Sequence, residues 1–310
     1  QDPGRAFKEN PHRRLAIDLV HRGVGPLYGH VGQPGDGNEI SAFADEISPD
    51  PLEQVTVLES CGVRHIELRS IHKTNVLDLS DEQVASFKSL LKSRGMALSA
   101  IGSPIGKIST DDPFEPHLKR FERAIHLCEF FETKNIRIFS FYPPASERMN
   151  TWRDESFRRM EQLVSKANKA GLVLFHENEH RIYGETPERV EELLANFQGA
   201  TFAAAYDAAN FVFGGHCPWD GWIRCRSRVR HLHIKDWVHG EPHGCLAGTG
   251  SGRWPEVLAD AVSRGYEGFA TMEPHLLGGG PTGGVTGPEL FPKAVEAFRK
   301  IASSTKAIVN

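Results

Sequence analysis

From residue 41 onward the sequence repeats one pattern, a short apolar run followed by a segment with the length and polarity of a surface helix. Eight such runs occur, and they begin at positions 41, 63, 96, 135, 172, 201, 229 and 268. Parallel strands that are covered on both faces give near-continuous apolar runs of this kind. Strands that alternate with helices predict a parallel sheet with right-handed crossovers. Eight repeats predict a closed (β/α)8 barrel, the TIM-barrel fold, rather than an open sheet.

Capping signals support the helical segments of this pattern. Ser80 precedes Asp-Glu-Gln and Gly95 follows the segment, which predicts a helix over residues 80–94. Thr186 and Glu188 mark the start of another helix over residues 186–197. No Gly-x-Gly-x-x-Gly directly follows the first strand, which argues against a dinucleotide-binding fold. The stretch between the sixth and seventh runs, which contains PWDGWIRCRSR, is poorly periodic.

The chain divides at about residue 40. Residues 1–40 are rich in Gly, Pro and charge, and we interpret them as an N-terminal extension that lies over the barrel. Residues 41–310 are predicted to form one barrel domain, because α/β barrels commonly exceed 250 residues as a single domain.

Composition excludes several classes of function. The net charge of −4 among 310 residues gives no reason to expect a nucleic-acid partner. No apolar run approaches the roughly 18–20 residues that a membrane helix needs, and the first residues lack the apolar core of a signal peptide. The five cysteines are scattered without a CxxC pair, so reduced thiols in a cytoplasmic protein are the simplest interpretation.

Four polar residues stand at or near the ends of apolar runs five to eight: Glu177, Asp207, His233 and Glu273. Side chains alternate along a strand, and each of the four can face the barrel axis in step with its run. The carboxyl ends of barrel strands meet at one mouth, where active sites of this fold are built. Three carboxylates and an imidazole suit a divalent ion such as Mn, Mg, Co or Zn. The alternative is four separate polar residues with local partners, but like-charged carboxylates need a cation to lie together.

The motifs HENEHRIYGETPERV, YDAANF, HLHIKD and MEPH, with a Gly-rich loop between the last two, carry a resemblance. From about residue 41 to the C-terminus, the chain resembles the xylose isomerase-like barrel superfamily, and within it the sugar phosphate isomerase/epimerase branch. The resemblance implies that Glu177, Asp207, His233 and Glu273 hold one divalent metal ion, with Mn expected first. It also implies that the two glutamates move the substrate proton, as in the ketose 3-epimerases of the family.

Elementary chemistry is consistent with this function. Removal of a proton beside a carbonyl gives an enediolate, whose negative charge a bound cation stabilises. Glu177 and Glu273, on opposite sides of that carbon, would act as the acid/base pair. The expected function is therefore a sugar isomerase or epimerase. A lyase or C-glycoside-cleaving enzyme that acts on a keto-sugar with the same site is the alternative, and a non-enzymatic barrel is a third possibility.

Five further residues are candidates for substrate binding: Lys107, Asn210, Lys235, His176 and Glu67. Lys235 either binds a substrate oxygen or neutralises the carboxylates, and Lys107 is either a contact or a solvated loop lysine. Asn210 occupies a position where several epimerases of the family have histidine.

His176 is either a spare base or a residue that supports the ligands. Glu67 either binds substrate or pairs with Arg69 across the mouth. The loop GCLAGTGSG is expected to be a flexible barrel loop rather than a phosphate site. A small sugar or keto-sugar is the expected partner, and a homo-oligomer is possible.

Overall fold

The computed structural model describes residues 39–279 and 283–306, and all structural statements concern these residues. The predicted extension lies outside them except for residues 39 and 40, which begin the first strand. None of the described helices combines the length and apolar character that crossing a bilayer requires.

Eight parallel strands close into a barrel, as predicted. The strands are β1 (Glu39–Ala42), β2 (His65–Leu68), β3 (Ala97–Gly102), β4 (Asn135–Ile138), β5 (Val173–Glu177), β6 (Phe202–Asp207), β7 (Val229–Ile234) and β8 (Phe269–Met272). Each strand pairs with its neighbours in the chain, and β1 pairs with β8 to complete the ring. The carboxyl ends of all eight strands therefore lie around one mouth.

The helices surround this barrel and follow the predicted positions closely. They are α1 (Pro51–Ser60), α2 (Asp81–Ser93), α3 (Phe114–Phe131), α4 (Trp152–Ala170), α5 (Pro187–Asn196), α6 (Ala208–Phe213), α7 (Pro218–Cys225), α8 (Trp254–Ser263) and α9 (Phe291–Ser304). Ser80 forms a capping box with Gln83 at the start of α2, and the Thr186 hydroxyl accepts a hydrogen bond from Arg189 N at the start of α5. Both caps were predicted from the sequence.

The poorly periodic stretch between the sixth and seventh strands contains two short helices. The Asp207 side chain caps α6 by accepting a hydrogen bond from Asn210 N, and Pro218 stands in the first turn of α7. With six and eight residues, these helices are too short to show a clear helical period.

The barrel interior is packed in a way that leaves room at the mouth. Phe175, Ala203 and Ala205 point inward and form a small apolar cluster of their own, separate from the main core beneath the helices. The Phe175 ring stacks on His231 with a centroid distance of 5.0 Å. The small alanines of β6 leave space above them, and Asp207 lies next along the same face.

The loop after β7 is organised by a buried carboxylate. Asp236, fully buried, accepts hydrogen bonds from the backbone N–H groups of Trp237, Gly248, Gly250 and Gly252 at 2.8–3.0 Å. A Cβ at Gly252 would lie only 2.7 Å from Asp236 Oδ1, so glycine is required for this close approach. The carboxylate thus fills the concavity that the loop amides form, and the loop has a defined conformation.

We expect Asp236→Ala to lower the free energy of unfolding by about 3 kcal/mol or more, because several buried N–H groups lose their acceptor together. Equilibrium denaturation in urea measures the effect. The control is Asp154→Ala, at a side chain that is 81% exposed, where the loss should stay below about 1 kcal/mol. Equal losses at the two positions would contradict the role of Asp236.

Candidate metal centre

The four predicted ligands come together at the mouth of the barrel. One ligand atom from each of Glu177, Asp207, His233 and Glu273 lies within 4.8 Å of the other three, and all four residues are buried. His233 Nδ1 is 3.2 Å from a Glu177 carboxylate oxygen and 3.7 Å from one of Glu273. Asp207 pairs in register with His233 on the neighbouring strand. Residues distant in sequence thus present their side chains to one point.

Two of these ligand atoms have no hydrogen-bond partner, although they are buried. They are Asp207 Oδ2 and His233 Nδ1. Both atoms contact charged groups instead: Lys235 Nζ lies 2.7 Å from Asp207 Oδ2, and a Glu177 oxygen lies 3.2 Å from His233 Nδ1. Neither atom is therefore committed to an aligned hydrogen bond within the protein. Three carboxylates and an imidazole are ligands that divalent cations accept. The residues therefore fit a divalent metal ion.

Basic side chains balance the charge of the three carboxylates. Arg137 lies 2.7 Å from Glu177, Arg69 lies 2.7 Å from Glu273, and Lys235 Nζ lies 2.7 Å from Asp207 Oδ2. These pairs are buried, where charges interact more strongly than in water. Removal of one partner would leave the other charged and unpaired.

The two glutamates are held in the ionised form. Burial by itself would raise the pKa of Glu177, but His233 and Arg137 outweigh burial and lower this pKa to about 2. Burial is likewise outweighed at Glu273, where Lys235 and His275 hold the pKa well below its usual range. At Asp207 burial dominates over the attraction of Lys235, so its pKa is raised to about 7. Glu177 and Glu273 are therefore available as bases at neutral pH.

Glu67 orients His233 from below. Its Oε2 atom lies 3.2 Å from His233 Nε2 and 2.7 Å from His231 Nε2. A carboxylate on one ring nitrogen fixes the tautomer and leaves the other nitrogen for a metal. Glu67 is fully buried beneath the ligands and is in contact with these two histidines. Its prediction as a substrate-binding residue is therefore wrong.

The predicted pairing of Glu67 with Arg69 is also wrong. Arg69 instead makes ion pairs with Asp45 at 2.9 Å and Glu273 at 2.7 Å. Glu67 lies within β2, whereas Arg69 follows the end of that strand at the mouth, and so reaches the carboxylates there rather than Glu67.

His176 does not reach the mouth, so its prediction as a substrate-binding residue or base is corrected. It alternates with Phe175 and Glu177 on β5 and faces the helices. Its ring lies against Phe202 and Gly184 and is fully buried. Burial lowers the pKa of His176 to about 4, which keeps this outward-facing imidazole neutral.

A cavity of about 500 Å³ opens above the ligands. Lys107, Asn210 and Lys235, three of the predicted substrate contacts, line it. Lys107 Nζ is 3.1 Å from Glu179, and Asn210 Nδ2 donates to Glu177 at 3.2 Å. The remaining walls combine charged and aromatic side chains, among them Arg69, Arg137, Phe139, Phe213, Trp237 and His275. The volume is that of a small-molecule site.

Comparison with known proteins decides the family. Residues 55–301 match the model of the xylose isomerase-like TIM barrel family. The chain belongs to this family. The resemblance described from the motifs is thereby confirmed. No curated protein matches the sequence.

Solved structures share the fold with this member of the family. A xylose isomerase-like TIM barrel protein from Mycobacterium smegmatis, in complex with magnesium, is 16% identical with a TM-score of 0.67 over 87% of this chain and 98% of that chain. A probable 3-DHS dehydratase from Bacillus anthracis is 17% identical with a TM-score of 0.67 over 85% and 98%. D-allulose 3-epimerase from Methylomonas sp., in complex with D-allulose, is 17% identical with a TM-score of 0.64 over 85% and 97%.

Arg137, His275 and Glu46 are among the residues of the site that were not predicted from the sequence. Arg137 occupies an inward-facing position of β4. A charged residue at that position of the apolar run NIRIF is the sequence signal that identifies it. His275 stands two positions after Glu273 and lies 3.2 Å from Glu46 and 3.4 Å from Glu273. No local pattern marks Glu46, because it reaches the site from a 3-10 turn after β1.

We expect Glu67→Gln to weaken Mn²⁺ binding by about 10-fold or more, because His233 loses the charged acceptor that orients it. Isothermal titration calorimetry with MnCl2 measures the affinity. The control is Glu39→Gln, at a half-buried glutamate that pairs with His65 at the other end of the barrel. Unchanged affinity in Glu67→Gln would remove this orienting role.

The metal-free protein should lose stability at alkaline pH through His275. Burial opposes its charge, but Glu46 outweighs burial and raises the pKa of His275 to about 9, above the usual 6.5. The stabilisation is fully present below pH 6.5 and is lost as the pH rises through 9, with a limit of about 3 kcal/mol.

Denaturation of the chelator-treated protein between pH 6 and pH 10 tests this expectation. His275→Gln should show a smaller decrease in the free energy of unfolding than the wild type. His126→Gln, at an exposed histidine of α3, serves as the control and should follow the wild-type curve. A wild-type decrease that persists in full in His275→Gln would contradict the assignment.

Proposed function

We propose that this protein is a divalent-metal-dependent isomerase or epimerase that acts on a keto-sugar or a related polyol. The observation that carries the proposal is the convergence of four buried ligand atoms, from three carboxylates and one imidazole, within 4.8 Å at the barrel mouth. The family of the chain and the likeness of its fold to a ketose epimerase support the same reaction class.

Glu177, Asp207, His233 and Glu273 would hold the ion, with Mn²⁺ as the first candidate and Mg²⁺, Co²⁺ or Zn²⁺ as alternatives. A structure of this fold in complex with magnesium supports a divalent ion. When bound, the metal supplies a positive charge that stabilises an enediolate. Glu67 keeps the imidazole of His233 turned toward the site.

Glu177 and Glu273 are the proposed acid/base pair. Arg137 and Asn210 fix the carboxylate of Glu177, and Arg69, directly after β2, fixes that of Glu273. Both carboxylates are ionised, so either is able to remove a proton from a carbon beside a carbonyl. Return of the proton by the other glutamate gives epimerisation, and its return at the neighbouring carbon gives isomerisation. Asp207 and His233 then serve as ligands alone.

Lys107, Asn210 and Lys235 are the proposed substrate contacts, since all three line the cavity. Their amide and ammonium groups suit hydroxyl and carbonyl oxygens. Phe139, Phe213 and Trp237 give the apolar surface on which a sugar ring packs. A small sugar or keto-sugar is therefore the proposed partner.

A lyase reaction on a keto-sugar, including C-glycoside cleavage, is the second candidate. Its first step is the same proton abstraction, and the fold likeness to a probable 3-DHS dehydratase favours it. Incubation with a plain ketose and with a 3-keto-glycoside separates the two functions by their products. A non-enzymatic barrel is the remaining alternative, and a wild-type protein that binds no divalent ion would favour it over both reactions.

We expect Glu273→Gln to reduce deuterium incorporation from D2O into substrate by about 10³-fold, because one half of the acid/base pair is lost. Mass spectrometry of a panel of ketoses and keto-glycosides with added MnCl2 measures the incorporation.

Incorporation is to be normalised to bound metal, because Glu273 is also a proposed ligand. Glu59→Gln, on the surface of α1, is the control and should retain full incorporation. Full incorporation by folded, metal-loaded Glu273→Gln would exclude Glu273 from proton transfer. A circular dichroism spectrum like that of the wild type shows that the variant is folded.

A further inference from the structure

Lys235 extends into the centre of the proposed ligand set. It follows His231 and His233 on the inward face of the chain at the end of β7, and it is 4% exposed. Its Nζ atom lies 2.7 Å from Asp207 Oδ2 and 3.5 Å from Glu273 Oε2. The ammonium thus bridges two of the four proposed ligands, as a bound cation would.

Lys235 contacts the carboxylate oxygen of Asp207 that does not cap α6. Asp207 Oδ1 accepts a hydrogen bond from Asn210 N at 2.9 Å and is committed to the start of α6. Asp207 Oδ2 has no aligned hydrogen bond, although Lys235 Nζ is close to it. The contact is therefore an ion pair without a fixed hydrogen-bond direction, and it is held by charge.

A divalent ion bound by these ligands would need the same oxygens. Two cations that bridge the same pair of carboxylates repel each other, and the interior screens that repulsion weakly. Lys235 has a long side chain that also lines the cavity, together with Glu179. The cavity offers its ammonium a place to move that remains close to an acidic side chain.

We propose that Lys235 is a built-in counter-ion that competes with the metal and moves into the cavity when the metal binds. In the metal-free protein it holds Asp207 and Glu273 together, and in the loaded protein its ammonium faces the substrate oxygens. The inference rests on the proposed metal site and adds an order of binding, in which the metal precedes the substrate. The donor that Lys235 supplies to the substrate becomes available only after the ion is bound.

Calorimetric titration with MnCl2 tests the competition. Lys235→Met should bind Mn²⁺ at least 10-fold more tightly than the wild type, because the internal competitor is gone. Lys166→Met is the matched control: it removes the same charge, but Lys166 pairs with Glu122 on the outer surface at 2.6 Å and contacts neither a proposed ligand nor Glu179. Its affinity for Mn²⁺ should stay within 2-fold of the wild type. Equal or weaker binding by Lys235→Met overturns the inference.

Lysine labelling of the wild-type protein tests the movement and does not depend on how well the variant folds. Reductive methylation with and without MnCl2, followed by peptide mass spectrometry, gives the rate at each lysine. Lys235 should react at least 5-fold faster in the presence of Mn²⁺, while the surface residue Lys166 changes by less than 2-fold. The same rate at Lys235 in both states overturns the inference.

The two experiments also separate this inference from the proposed function. A wild-type protein that binds no Mn²⁺ overturns both together. A wild-type protein that binds Mn²⁺, with neither a gain in Lys235→Met nor faster labelling of Lys235, overturns the competition alone and leaves the metal site standing.

Discussion

Charge balance at the mouth of the barrel is the constraint on which the site depends. Three carboxylates and an imidazole are buried within a few ångströms of one another, which is unfavourable unless cations offset them. The chain supplies Arg69, Arg137 and Lys235 for this purpose, each within 2.7 Å of one carboxylate. The arginines hold the carboxylates ionised and in place. A metal bound there would enter a site that is already neutralised in part, and Lys235, the cation between two of the proposed ligands, would be the group that it meets first.

The seventh strand shows how closely the fold and the site are connected. His231, His233 and Lys235 face the axis in succession, and Asp236 turns the other way to anchor the glycine-rich loop. A shift of one residue in this strand would exchange these roles. Contacts inside the barrel are consistent with this register, because Glu67 of β2 reaches across the interior to both His231 and His233 of β7.

Much of this architecture is predictable from local sequence. The strands follow from apolar runs, the starts of α2 and α5 from Ser80 and Thr186, and the four candidate ligands from their places at strand ends. These signals are local or periodic, so one sequence contains them. The prediction that these four residues lie together follows from fold topology, since consecutive strands of a barrel are neighbours.

The incorrect predictions concern residues whose role depends on depth or on distant partners. His176 and Glu177 are adjacent, yet they face opposite sides of β5, and only the direction of the strand distinguishes them. Glu67 and Arg69 share a face, but the depth of each along the barrel axis decides whether it meets histidines or carboxylates. Glu46 and His275 meet only in the folded chain.

The cavity wall, rather than the ligand set, is what must distinguish one substrate from another. The proposed ligand arrangement suits any substrate whose reaction passes through an enediolate, so it supports a proposed reaction class and not one substrate. The cavity wall is chemically mixed, because Lys107, Arg69 and His275 bring basic groups to an opening that also has aromatic surfaces. Asn210 connects the cavity wall with the ligand set, because its side-chain amide lines the cavity and also donates a hydrogen bond to Glu177. A substrate that displaced this amide would alter the surroundings of Glu177, the proposed base, so one hydrogen bond would couple substrate recognition to the proposed reaction.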